Sequence, residues 1–176
     1  HLKTAAYALA QSFLKRSLQL AEEIGDEPLT SVVFSNLAEL AFRQGDLLEA
    51  EKQFRQSLLL AERFNDREYM SRWNSGLASV LQEQGRIDEA GSCIRTALVI
   101  ARSIHNAPCI GLALVALGKM RIAQAKAIDG VEDQRGRLLV RAQATLNRAL
   151  ALSGLESETR SQGTQALKES QMLLKS

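Results

Sequence analysis

The chain repeats itself every forty residues. Leu18, Leu58 and Leu98 fall in phase, as do Ala10, Ala50 and Ala90, then Ala21, Ala61 and Ala101, Leu37, Leu77 and Leu117, and Gln44, Gln84 and Gln124. Five columns in one register mark a stacked-repeat architecture, because a fixed period between about 20 and 50 residues means that each unit buries its apolar face against its neighbours. With 176 residues, the chain holds about four such units.

Each unit reads as two amphipathic helices. In the clearest one, the first helix is predicted over residues 30–44, with Val33, Phe34, Leu37, Ala38, Leu40 and Ala41 apolar at three- and four-residue spacing. The second is predicted over residues 47–64, with Ala50, Phe54, Ser57, Leu58 and Ala61 facing inward. Gly45-Asp46 separates the two, because glycine accepts the left-handed backbone that closes a helix. Asn65-Asp66 forms the next turn, where Asn tolerates positive φ. The pattern recurs over residues 67–84 and 87–104, with Gly85 and His105-Asn106 in the turn slots. Pro28 and Pro108 sit two periods apart, each expected in the first turn of a helix, where the missing N–H costs nothing.

One period earlier, residues 5–24 read as a second helix, so residues 1–25 form half a repeat. Full units follow over 26–66, 67–106 and 107–154. In the last of these the second helix comes into phase only after a shift of 52, with Ala142 matching Ala90, Leu146 matching Ile94 and Ala149 matching Ala97. The twelve extra residues are expected as an inserted, exposed loop near 127–136. Residues 155–176 read as a C-terminal capping helix. The chain starts without methionine and, by register, with the second helix of a unit, so a longer parent protein is expected.

Composition narrows the class further. Residues of the apolar class make up 45% and aromatics 5%, and two prolines leave long stretches free of helix breakers. A net charge of +2, from 22 basic and 20 acidic residues, gives no footprint for nucleic acid. No apolar run is read as long enough to cross a membrane, and the N-terminus lacks the parts of a signal peptide, so the expected location is the cytoplasm. Cys93 and Cys109 are expected reduced and structural. His105 and Cys109 lack the further ligands of a metal site. No phosphate-binding loop or nucleophile motif is present, so neither a cofactor nor enzymatic activity is expected.

The strings from Asn36 to Ala50 and from Leu77 to Ala90 resemble the tetratricopeptide repeat: Leu37-Ala38 and Leu77-Ala78 in the first helix, Gln44-Gly45-Asp46 and Gln84-Gly85-Arg86 at the turn, and Glu49-Ala50 and Glu89-Ala90 opening the second. Small residues follow seven positions on at Ser57 and Ala97, and at Ala149 in the later unit. The period of forty exceeds the family's 34, as in the long repeats of kinesin light chains and bacterial multidomain regulators. The resemblance covers about residues 5–153. It implies an all-α fold, a right-handed α-solenoid of antiparallel helix pairs with about eight helices.

It also implies a protein or peptide segment held in a groove lined by the first helices. The matching positions are Ser35, Glu39, Phe42 and Arg43, then Arg72, Ser75, Ser79, Gln82 and Glu83, then Leu112, Val115, Lys119, Ile122 and Ala123. The carboxylate clamp of chaperone-binding members is incomplete, since Ser35, Glu39, Arg72 and Gly76 occupy the corresponding positions. Trp73 is expected between adjacent helix pairs, with an interface anchor as the other reading. The function expected is that of an interaction scaffold, the partner-binding or sensor region of a larger regulatory protein. The alternative is a self-assembly module that stacks end to end through its uncovered terminal repeats into homo-oligomers.

Overall fold

A computed structural model describes residues 2–128 and 131–175, with side chains described from Ala5 onward. Its helices are α1 (Leu2–Glu23), α2 (Glu27–Gln44), α3 (Leu47–Arg63), α4 (Arg67–Glu83), α5 (Ile87–Ser103), α6 (Ala107–Lys126), α7 (Glu132–Leu150) and α8 (Ser157–Leu173).

The turns obey a rule finer than the forty-residue period. Gly25, Gly45, Asn65, Gly85 and His105, twenty residues apart, all take positive φ, between 52° and 82°. After each of them the chain reaches back over the helix it has just left. The N–H of Asp26, Asp46, Asp66, Arg86 and Asn106 donates to the carbonyl of Ala21, Ala41, Ala61, Leu81 and Ala101 at 2.9–3.0 Å, the longer of the two bonds of a Schellman closure. In four of the five turns that same residue then caps the next helix. Asp26, Asp46, Asp66 and Asn106 accept from the N–H of Leu29, Glu49, Tyr69 and Cys109, satisfying a donor that the helix start leaves open.

The strongest contacts join α2 with α3, α4 with α5 and α6 with α7. Each second helix also packs on the first helix of the next unit. Along the inner layer, α2 meets α4, α4 meets α6 and α6 meets α8, whereas α1, α3, α5 and α7 do not meet one another among the described residues. A stack that closes up on one layer and opens on the other is curved, with α2, α4, α6 and α8 on its concave side.

Small residues set the close approaches. Ala38, Ala78 and Gly118 form one column; Ala38 and Ala78 are fully buried, and a Cβ at Gly118 would lie 2.6 Å from the Leu146 side chain. Ser31 and Ser71 form another. Their buried hydroxyls donate to the carbonyls of Ser57 and Ala97 at 2.9 and 3.0 Å, tying the two helices of each pair together. Between units, Glu51 accepts from Arg86 and Gln84 at 2.7 and 2.9 Å; within the unit of α2 and α3, Arg63 pairs with Glu27 at 2.7 Å.

Three expectations are corrected. Helix α2 starts at Glu27, not residue 30, because Asp26 caps it and Pro28 fits its first turn. The loop expected over 127–136 is shorter: α7 begins at Glu132, and Glu132 and Asp133 are its acidic first turn, a favourable place for negative charge. Residues 129 and 130 lie outside the described residues. Finally, α6 does reach the length and apolarity of a membrane span, with 20 residues and a mean hydropathy of 1.2 over its best window. It lies inside the stack, against α4, α5, α7 and α8, and its apolar character is that of a core helix.

Candidate partner-binding site

The concave side holds a cavity of about 330 Å³. Its apolar wall is built by Phe42 of α2, Phe54 of α3, Trp73 of α4 and Leu112 of α6. Phe54 reaches through from the outer layer because Gly76 leaves room for it; a Cβ there would stand 2.5 Å from the ring. Trp73 belongs to both readings offered for it. Its indole N–H donates to the Ser31 hydroxyl of the preceding unit at 3.0 Å, its ring stacks on Tyr69 at 5.1 Å, and the half-buried side chain lines the cavity.

Of the residues matched to the groove, the fold gathers Ser35, Glu39, Phe42, Arg43, Arg72, Ser75, Ser79, Leu112 and Lys119 around this cavity. The serines form its floor. Ser35 and Ser75 are buried, and the hydroxyls of Ser75 and Ser79 donate back to carbonyls one turn earlier. Other expected members fall elsewhere. Ile122 is buried with Leu139, Ala142 and Leu146 between α6 and α7, because the α6 face that would line a groove here carries the core of the last unit. Val115 is likewise core. Gln82 bridges the inner layer, donating to the Ala116 carbonyl at 3.2 Å, while Glu83 is exposed beyond the cavity and Ala123 does not line it.

The cavity also contains residues that the repeat pattern does not point to. Glu156, Glu158, Thr159 and Gln162, from α8 and the residue before it, form one wall. Glu156 pairs with Arg72 at 2.7 Å and Glu158 with Arg43 at 3.6 Å, while Arg43 also pairs with Glu39 at 2.9 Å. The hydrogen bond and charge of Glu39 hold the Arg43 guanidinium protonated more firmly than usual. At Arg72 burial works against the charge, and the hydrogen bond and charge of Glu156 overcome it. The path that brings α8 here is visible in the Ser31–Ser71 column, where the third member is Gly111. A Cβ on Gly111 would lie 2.2 Å from Leu155 Cδ1, so the missing side chain makes the seat for the residue next to Glu156.

Geometry and register thus define a curved helical solenoid with a partly polar inner groove. A tetratricopeptide repeat family model matches residues 1–63. No curated protein matches the chain in sequence. Among solved structures, BtubC (BKLC) from P. vanneervenii is similar over 99% of this chain and 70% of its own, with a TM-score of 0.69 and 18% identity. Two structures of a Podosopora anserina protein, described as a kinesin light chain with nearly identical TPR-like repeats, cover 98% of this chain and 85% and 91% of their own, with TM-scores of 0.64 and 0.53 and identities of 17% and 18%. At these identities the likeness is one of fold. Residues 1–63 thus match the tetratricopeptide repeat family in sequence, and the chain along its length has the fold of these repeat structures.

Proposed function

We propose that the chain is the partner-binding region of a larger regulatory protein, active in the cytoplasm and without catalysis of its own, and that it holds an extended protein segment on its concave face. Tetratricopeptide repeats generally mediate protein–protein interaction and are typically non-catalytic. The observation that carries the reading is the composition of the groove. Phe42, Phe54, Trp73 and Leu112 lie beside Arg43, Arg72 and Lys119 in one open cavity, so alternate side chains of an extended segment would meet apolar and charged surface in turn. The regulatory setting rests on the forty-residue period shared with long-repeat regulators. Ser79→Glu, which pushes a longer, negatively charged side chain into the groove from a half-buried position, tests the site. Binding of peptides selected on the wild-type chain should fall at least about tenfold, as expected for a blocked interface centre. Unchanged affinity in a folded Ser79→Glu protein would place the site elsewhere.

Self-association has one observation in its favour. Leu9 and Phe13 on α1 and Ile24 just after it are 59%, 64% and 71% exposed, and Leu9 and Phe13 occupy positions held by Glu49 and Gln53 one period later. The outward face of α8 is polar apart from Met172, with Arg160, Thr164, Lys168 and Gln171 exposed. Assembly through both ends therefore has less support than assembly through α1, and a strict monomer by light scattering at high concentration would count against either.

A further inference from the structure

We infer that Glu156 and Glu158 are an internal ligand of the groove, occupying Arg72 and Arg43 until carboxylates of an acidic partner segment take their place. The inference rests on the proposed function and adds to it the partner's chemistry and a competition within the chain. Glu156 stands at the N-cap position of α8, yet its carboxylate makes no capping bond. It reaches instead to Arg72, 84 residues away in sequence, at 2.7 Å. Glu158, in the first turn of the same helix, reaches Arg43. The connection that delivers them is seated firmly, with Leu155 against Gly111 and Gly154 against Pro108, so the two carboxylates stay close to the groove even when their ion pairs open.

Charge decides what would replace them. Arg43, Arg72 and Lys119 line the cavity with Glu39, Glu156 and Glu158. Lys119 makes no ion pair among the described residues. If the two α8 side chains swing away, three cations face one carboxylate, and the exposed field favours a negatively charged segment. The α8 pairs suit exchange, because both glutamates are more than half exposed, and ion pairs of that kind are weak and screened by salt. Replacement needs only new rotamers of two flexible side chains, with α8 staying in place.

An array of random ten-residue peptides, probed with the wild-type chain and with the Glu156→Gln, Glu158→Gln double variant, tests this, with Trp73 fluorescence giving the affinities of the bound peptides. Peptides bound by the wild type should be enriched in Asp and Glu. The double variant should bind those acidic peptides about three- to tenfold more tightly and neutral ones equally, as removal of a competing internal state requires. Unchanged or weaker binding of acidic peptides by the double variant overturns the inference. A bound set that is neutral or basic also overturns it, but leaves the groove as a binding site. Absence of binding by peptides of any charge removes both readings. Should the double variant fail to fold, Glu158→Gln alone, at an exposed side chain, should give about a twofold gain, and no gain overturns the inference.

Discussion

Glu51 shows how a single side chain can join two repeats. Its carboxylate lies on α3 with the side chain only 14% exposed, and it accepts from Arg55 on its own helix and from Gln84 and Arg86 in the turn between α4 and α5. Burial pushes its pKa up, but the hydrogen bonds from Arg55, Gln84 and Arg86 outweigh this and hold it at about 2. An unfolded glutamate titrates near about 4.3. The folded state therefore gains from this site at all pH values above that range, and loses the gain as pH falls toward 2. Glu51→Gln is expected to lower stability at neutral pH by about 1–2 kcal/mol and to flatten the fall of melting temperature between pH 5 and pH 2. An equally steep acid limb in that variant would show that other carboxylates govern it. The sequence displays Gln44, Gln84 and Gln124 as a column, but a column reveals only that a position matters. That Gln84 spans to the Leu47 carbonyl and to Glu51 depends on how tightly consecutive units stack, which periodicity leaves open.

Turns carry most of what can be read at the level of the helix. Gly25, Gly45 and Gly85, each followed by a residue that closes one helix, were legible because glycine announces positive φ. Asn65 and His105 fall in the same turn slots but meet the backbone demand with other residue types, and of the two only Asn65 signals positive φ by its chemistry. His105 at φ 52° bears a steric cost that glycine avoids, and its ring has no role in the groove. His105→Gly is thus expected to stabilise the chain by up to about 1 kcal/mol, the relieved strain exceeding the added entropy of the unfolded glycine. A lower melting temperature for that variant would mean that the histidine side chain holds the turn in some other way. The start of α7 falls inside the expected loop for an opposite reason. Glu132-Asp133-Gln134-Arg135 looks like a solvated loop by polarity, whereas acidic residues at the start of a helix favour it.

At the scale of the whole molecule, inner helices that touch and outer helices that do not give the stack its curvature, and the curvature gives it a groove. The helical solenoid was legible because its columns recur at fixed spacing, and the first two units place Ser35, Glu39, Arg43, Arg72 and Ser79 on the concave side as their register requires. Register holds only in part beyond that: Gln82 and Glu83 miss the cavity, and in the third unit Leu112 and Lys119 reach it while α6 turns Ile122 and Val115 into the core of the stack. It was silent about Glu156 and Glu158, because nothing local connects them to arginines 84 and 115 positions earlier; the one trace is Gly111 standing where two serines stood before. Trp73 is the single tryptophan of the chain and lies in the groove wall, which makes its indole N–H a direct reporter of occupancy. Titration of the isotopically labelled chain with an array-selected peptide, followed at that resonance by NMR, should show the Trp73 signal shift and saturate in step with binding. A peptide that binds with the same affinity while the Trp73 signal stays still, and that instead perturbs α3, α5 and α7, would contradict recognition on the concave face.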